Sequence, residues 1–166
     1  MVVKRQSPPR HSEALRPSNA DSRAVSRAVI LAAGKGSRLQ PLTDGLPKCL
    51  VEVDGTPLLV RTLDALAQQG VDEAVIVIGY GGDAIRERIG KSHAGMAIHY
   101  VEAPDFATTN NIRSLWDARR YLDRDILLIE ADVAFDAEIV GALLEVPGSS
   151  AAVAPFGRPL SGTVIH

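Results

Sequence analysis

AVILAAGKGSR, residues 28–38, is the stretch whose reading decides the fold. Its first six residues are apolar without a break, which describes a strand covered on both faces, as in a parallel sheet. Gly34 and Gly36 follow at once, so the chain turns out of the strand at its carboxyl end. That edge is where open α/β sheets bind their ligands. The two halves together predict a buried first strand feeding a glycine-rich binding loop.

Working outward, the same alternation recurs. AVIVIG (74–79), AIHYV (97–101), ILLIEA (126–131) and AAVAPF (151–156) read as further strands. Between them, Thr56 and Pro57 resemble an N-cap and a first helical residue, with Leu59, Leu63, Leu66 and Ala67 at helical spacing and Gly70 closing the helix. A short helix is expected over 83–89, ended by Gly90. A third is expected over 111–122, with Ile112, Leu115, Trp116 and Leu122 on its buried face, and a fourth over 137–145. Apolar strands alternating with helices imply an α/β fold with a mostly parallel sheet and helices on both faces.

The chain's 166 residues suit one core. A net charge of −2 argues against general affinity for nucleic acid or for anionic membranes. No apolar run reaches the roughly 20 residues of a membrane span, and no secretory signal is visible. Cys49, the only cysteine, excludes an intrachain disulfide and suits a reducing cytoplasm. Residues 1–27 carry Lys4, Arg5, Arg10, Arg16, Arg23 and Arg27 against Glu13 and Asp21, with Ser and Pro and no apolar period. They read as a disordered basic tail preceding a domain at 28–166. GTVI (162–165) starts another strand-like run just before His166, so the domain reads as interrupted, its C-terminal part missing.

The loop chemistry is that of an anion cradle. Glycines allow close backbone approach and aim consecutive amides at phosphate. Arg38 supplies a fork for terminal phosphate oxygens and Lys48 a point charge. Other phosphate motifs fit poorly. The dinucleotide fingerprint needs a glycine where Leu39 stands, and Gly34-Lys35-Gly36 breaks the P-loop spacing. For GKGSR alone, a tight turn with solvated basic residues remains an equal alternative.

The longer stretch LAAGKGSRLQPLTDGLPKCLVEVDGTPLL resembles the signature of the nucleoside-triphosphate transferase superfamily, LAAGxGxRLxPLTxxxPKxLxxVxGxPLL. Sugar-1-phosphate nucleotidyltransferases and phosphocholine cytidylyltransferases are among its members. The resemblance implies a Rossmann-like, nucleotide-diphospho-sugar transferase-like fold. It places nucleotide on the backbone around Leu31, Ala32, Ala33 and Gly34, the β and γ phosphates on Gly36 and Arg38, and the α-phosphate region on Lys48. Arg38 and Lys48 are thus the catalytic pair. The family's metal-binding aspartate follows a buried strand, where Asp132 stands, with Mg²⁺ as its cofactor. Glu130, two residues earlier on the same strand face, is open to an assisting or a structural role. Gly79 and Tyr80 match the base-side loop, Tyr80 being equally readable as a partly buried core residue.

TTNNIRSLWDARRYL (108–122) resembles the TNNxxSLxxA pattern of phosphocholine and phosphonate cytidylyltransferases. Asn110 and Asn111 can cap the helix that follows, or read a base edge with both donor and acceptor. This favours CTP. His93 and His99 have no carboxylate or cysteine at ligand spacing in sequence and are expected in surface or packing roles, and Trp116 in the core. Three functions follow: transfer of CMP from CTP to a phosphocholine-like or phosphonate acceptor, a sugar-1-phosphate nucleotidyltransferase using UTP, dTTP or GTP, or a non-catalytic nucleotide-binding fragment. The family's second metal-binding aspartate and much of its acceptor pocket have no counterpart before His166.

Overall fold

A computed structural model describes residues 2–4, 25–36 and 45–152. In chain order the elements are β1 (Val2–Lys4), β2 (Arg27–Ala32), β3 (Glu52–Val53), β4 (Thr56–Pro57), α1 (Leu58–Gln68), β5 (Glu73–Ile78), α2 (Gly82–Ile89), β6 (Ser92–His93), β7 (Met96–Glu102), α3 (Asn111–Asp117), β8 (Ile126–Glu130) and α4 (Ala137–Glu145). Among the described residues six strands form one sheet in the order β1-β8-β2-β5-β7-β6. The inner four run parallel, and the short β1 and β6 lie antiparallel at the edges.

The unbroken apolar runs are explained by burial on both faces. Ala28, Ile30 and Ala32 of β2, with Ile76 and Ile78 of β5, pack against Leu59, Leu63 and Leu66 of α1, Ile85 of α2 and Val140 of α4. Val29, Leu31, Val75 and Val77 face the other way, toward Ala118, Leu115 and Phe106. Among the described residues helices therefore cover both faces, α1, α2 and α4 on the first and α3 on the second. Each fully buried Leu or Ile contributes about 1.5–3 kcal/mol, so Leu59, Leu63 and Leu66 fasten α1 to the sheet.

Several sequence expectations change. Thr56 does not cap α1. Asp54 (φ +52°) and Gly55 (φ +75°) form a two-residue turn joining β3 to β4, and Pro57 stands at the cap position instead. An Asp-Gly pair with both residues at positive φ is the turn that matches strand twist in a tight hairpin. Asn111–Asp117 is shorter than expected and continues as a 3₁₀ turn over Arg119–Tyr121. Its buried side is Ser114 with Ala118, whereas Ile112 and Trp116 are 77% and 61% exposed, so Trp116 is not in the core. His93 and His99 do have carboxylates nearby in space: Asp64 Oδ1 lies 2.7 Å from His93 Nε2 and Glu73 Oε1 3.5 Å from His99 Nε2.

The expected tail over 1–27 is also revised at both ends. Val2–Lys4 pairs with β8, Val2 opposite Ile129 and Lys4 opposite Leu127. Arg27 opens β2 and is buried. Its Nε donates to Glu73 Oε2 at 2.7 Å, and its Nη1 donates to Asp123 Oδ1 at 2.6 Å and to the Tyr121 carbonyl at 2.9 Å. Burial opposes the charged guanidinium, but Glu73 and Asp123 outweigh it and hold its pKa above the ordinary value. The expected strand over 151–156 lies outside the described residues beyond Ala152, as does the run at 162–165. No helix among the described residues is long and apolar enough to cross a membrane.

Candidate functional site

The carboxyl ends of β2 and β8 open into a cleft of about 240 Å³. Hydrogen bonds fix its floor. The Ala131 amide donates to the Leu31 carbonyl and the Tyr80 amide to the Ala33 carbonyl, both at 3.1 Å, so the turns after β8 and β5 are tied to β2 and the loop it feeds. Leu31, Ala32, Ala33, Gly34 and Gly36 form one wall.

Lys48 reaches the cleft because its neighbours cannot leave the core. Pro47, Cys49 and Leu50 are buried, and the 3₁₀ turn Lys48–Leu50 is closed by the Leu50 amide donating to the Pro47 carbonyl at 2.8 Å. Two glycines make room for this pair. Gly36 has φ +67°, and a Cβ there would stand 2.7 Å from Lys48 Cβ. Gly81 has φ +63°, and a Cβ there would collide with the Pro47 ring. Both positions require the left-handed backbone that glycine adopts without a steric penalty.

Asp132 lies two residues past β8, and its Oδ2 accepts from Lys48 Nζ. Glu130 is the last residue of β8, in register with Leu31. Both of its carboxylate oxygens accept from Asn111 Nδ2, at 2.9 and 2.8 Å. Burial raises the Glu130 pKa above the usual carboxylate value, and the Asp132 charge adds to this, while the Asn111 hydrogen bond and Lys48 oppose it. Burial also pushes the Cys49 thiol up to about 12, which keeps it protonated and unsuited to nucleophilic work.

Of the residues singled out in sequence, Leu31, Ala32, Ala33, Gly34, Gly36, Lys48, Asn111 and Asp132 line this one cleft. Asn110 does not. Its Oδ1 accepts from the Ile112 amide at 3.2 Å, which makes it the helix cap. Gly79 and Tyr80 also lie outside the lining; Gly79 sits against Phe106, and the Tyr80 ring faces Lys35 Nζ at 5.7 Å. Arg38 lies outside the described residues. Ser114 joins the lining without having been singled out. Its place three residues after Asn111 on one helix was the available signal.

Among the described residues no three acidic, His or Cys side chains converge as a metal cage. Asp132, which lines the cleft, could instead serve as a single-carboxylate ligand. That donor set suits Mg²⁺, which keeps most of its coordination for water and substrate phosphates.

Comparison with known proteins gives this geometry a context. The chain is 49% identical over 142 residues to CMP-5′-(3-aminopropyl)phosphonate synthase of Streptomyces rubellomurinus, an alignment covering 84% of this chain and 22% of that protein. It is 34% identical over 149 residues to 2-aminoethylphosphonate cytidylyltransferase of Lancefieldella rimae, covering 87% of this chain and 55% of that protein. The solved structure of CTP:phosphocholine cytidylyltransferase from Streptococcus pneumoniae superposes with a TM-score of 0.52 at 30% identity, over 68% of this chain and 49% of that one. The chain thus spans between about a fifth and about half of the length of these relatives. Residues 28–161 match the MobA-like NTP transferase domain, and the chain belongs to that family.

Proposed function

We propose that the cleft binds CTP and transfers CMP to a phosphonate or phosphocholine-like acceptor, releasing pyrophosphate. The observation that carries this reading is the convergence of the glycine loop, Lys48 and Asp132 at one carboxyl edge of the sheet. The choice of CTP and acceptor is supported by relatives named as phosphonate and phosphocholine cytidylyltransferases.

An oxygen of the acceptor attacks the α-phosphorus, and the bond from that phosphorus to the leaving pyrophosphate oxygen breaks. The attacking oxygen is already ionised near neutral pH, so no general base is needed. The task left to the protein is to align two anions that repel one another and to neutralise charge in the transition state. The backbone around Ala32, Ala33 and Gly34 holds the nucleotide, with Gly36 and Arg38 on the β and γ phosphates. Lys48 leaves Asp132 for the α-phosphate region. Asp132 would hold Mg²⁺, which would supply further charge neutralisation. Cys49 in its protonated form takes no part. The single cysteine and the small charged substrates fit a cytoplasmic setting.

The test is pyrophosphate release with Mg²⁺, each of CTP, UTP, dTTP and GTP, and three acceptors: 2-aminoethylphosphonate, phosphocholine and glucose 1-phosphate. Release with CTP and one of the first two is expected. Release confined to glucose 1-phosphate with another triphosphate would replace this reading with a sugar nucleotidyltransferase. Nucleotide binding without release from any pair would reduce the chain to a binding fragment.

A further inference from the structure

Glu130 has both carboxylate oxygens against one atom, Asn111 Nδ2. An ionised carboxylate only accepts hydrogen bonds, so it can hold the nitrogen end of an amide and repels the oxygen end. The interaction therefore fixes which way the Asn111 amide faces. Turning it over would exchange charge-assisted hydrogen bonds for two acceptors in contact. Both partners stand on rigid elements. Glu130 ends β8 in register with Leu31, and Asn111 opens α3 directly after its Asn110 cap. Among the described residues no protein donor reaches Asn111 Oδ1, which belongs to a cleft-lining residue.

We infer that Glu130 is a positioning residue that locks the Asn111 amide so that its oxygen serves as a fixed acceptor for the amino group of cytosine. This rests on the nucleotide reading above and deepens it. Uracil carries a carbonyl where cytosine carries the amino group, so the same oxygen would meet an acceptor and repel it. Specificity comes from that mismatch as well as from the bond to cytosine. Glu130 touches no reacting atom in this arrangement.

The experiment is calorimetric titration of the full chain with CTP, 2′-deoxyCTP, UTP and inorganic triphosphate. The last ligand reports the phosphate cradle without any base. Wild type should favour CTP over UTP by about tenfold or more, the effect of one hydrogen bond made or left unmade. Glu130→Ala should lose that preference while keeping or tightening its hold on inorganic triphosphate. Asn111→Asp should lose it too, because two carboxylates then face each other. The double change Glu130→Gln with Asn111→Asp reverses the pair. The amide introduced on β8 would hold one oxygen of the carboxylate introduced on α3 and leave the other as the acceptor, so the preference for CTP should return.

A CTP-to-UTP ratio unchanged in Glu130→Ala overturns the inference. So does a parallel loss of inorganic triphosphate, which marks a merely structural role. A penalty for 2′-deoxyCTP as large as that for UTP assigns the oxygen to the sugar hydroxyl and overturns the base assignment. A wild-type chain that binds none of the four ligands removes the functional reading itself, an outcome distinct from the others.

Discussion

β2 has a cation against carboxylates at each end, and the two ends behave differently. At its amino end Arg27 is closed in. Glu73, Asp123 and the Tyr121 carbonyl take its hydrogen bonds, the Tyr121 ring lies 5.5 Å from its guanidinium carbon, and its side chain is 8% exposed. At the carboxyl end Lys48 meets a single carboxylate, Asp132, with the two side chains 27% and 39% exposed. The first network keeps its cation buried, with three hydrogen bonds to protein oxygens. In the second, each member keeps capacity for another partner, an anion for Lys48 and a cation for Asp132. Similar residue types thus form a buried network at one end and an exposed pair beside the cleft at the other, and burial distinguishes them.

The largest effect expected is on the closed end. Arg27→Ala strands Glu73 in a partly buried position and should lower unfolding free energy by about 3–5 kcal/mol, the usual result of removing one partner of a buried pair. Denaturant titration would show it. A loss below about 1 kcal/mol would make this network no more than a surface one.

Lys48→Ala should do the reverse. Turnover is expected to fall by about 10²–10³, as when one preorganised charge-stabilising group is removed, with stability changed by no more than about 0.5 kcal/mol. Steady-state rates alongside melting curves would separate the two effects. Near wild-type turnover would take Lys48 out of the chemistry.

Gly36→Ala tests how the loop supports that lysine. The added Cβ meets Lys48 Cβ at a positive φ, so a stability loss of about 1–2 kcal/mol is expected from the backbone alone. Nucleotide affinity should fall with it. Unchanged affinity would mean that the lysine stem does not depend on the loop.

The smallest effect is a pH dependence at the closed end. The hydrogen bond from Arg27 holds the Asp123 carboxyl below its ordinary value. Its contribution is therefore present above the unfolded-state pKa, about 3.9, and lost as pH falls through the lower folded-state value. Asp123→Asn should flatten the acid limb of stability below about pH 4 and leave the neutral region nearly unchanged. An acid limb identical in the variant would assign that dependence to other carboxylates.

The sequence was most informative where burial on both faces leaves a continuous apolar record, as in β2, β5 and β8, and where glycine ends an element, as Gly90 does after α2. α4 was read with its observed bounds. The Asp54-Gly55 hairpin was passed over because Thr56-Pro57 satisfies a helix-start pattern equally well, and only pairing with Glu52–Val53 decides between them. Trp116 was misplaced because helical spacing gives a face without saying which face meets the sheet. In the cleft, the glycine loop, Lys48 and Asp132 could be read because each sits in a contiguous motif. The different partners of Asn110 and Asn111 could not, since that of Asn111 is Glu130, arriving from β8 19 residues later in the chain. Arg27 was assigned to a tail for the same reason, its partners being 46 and 96 residues away.

The most direct test of the account is a crystal structure of the chain with CTP and Mg²⁺. The account predicts the triphosphate along Gly34 and Gly36, Lys48 turned from Asp132 toward phosphate, and the Arg27 network unchanged. A nucleotide bound elsewhere, or one that leaves the Lys48–Asp132 pair intact, would contradict it.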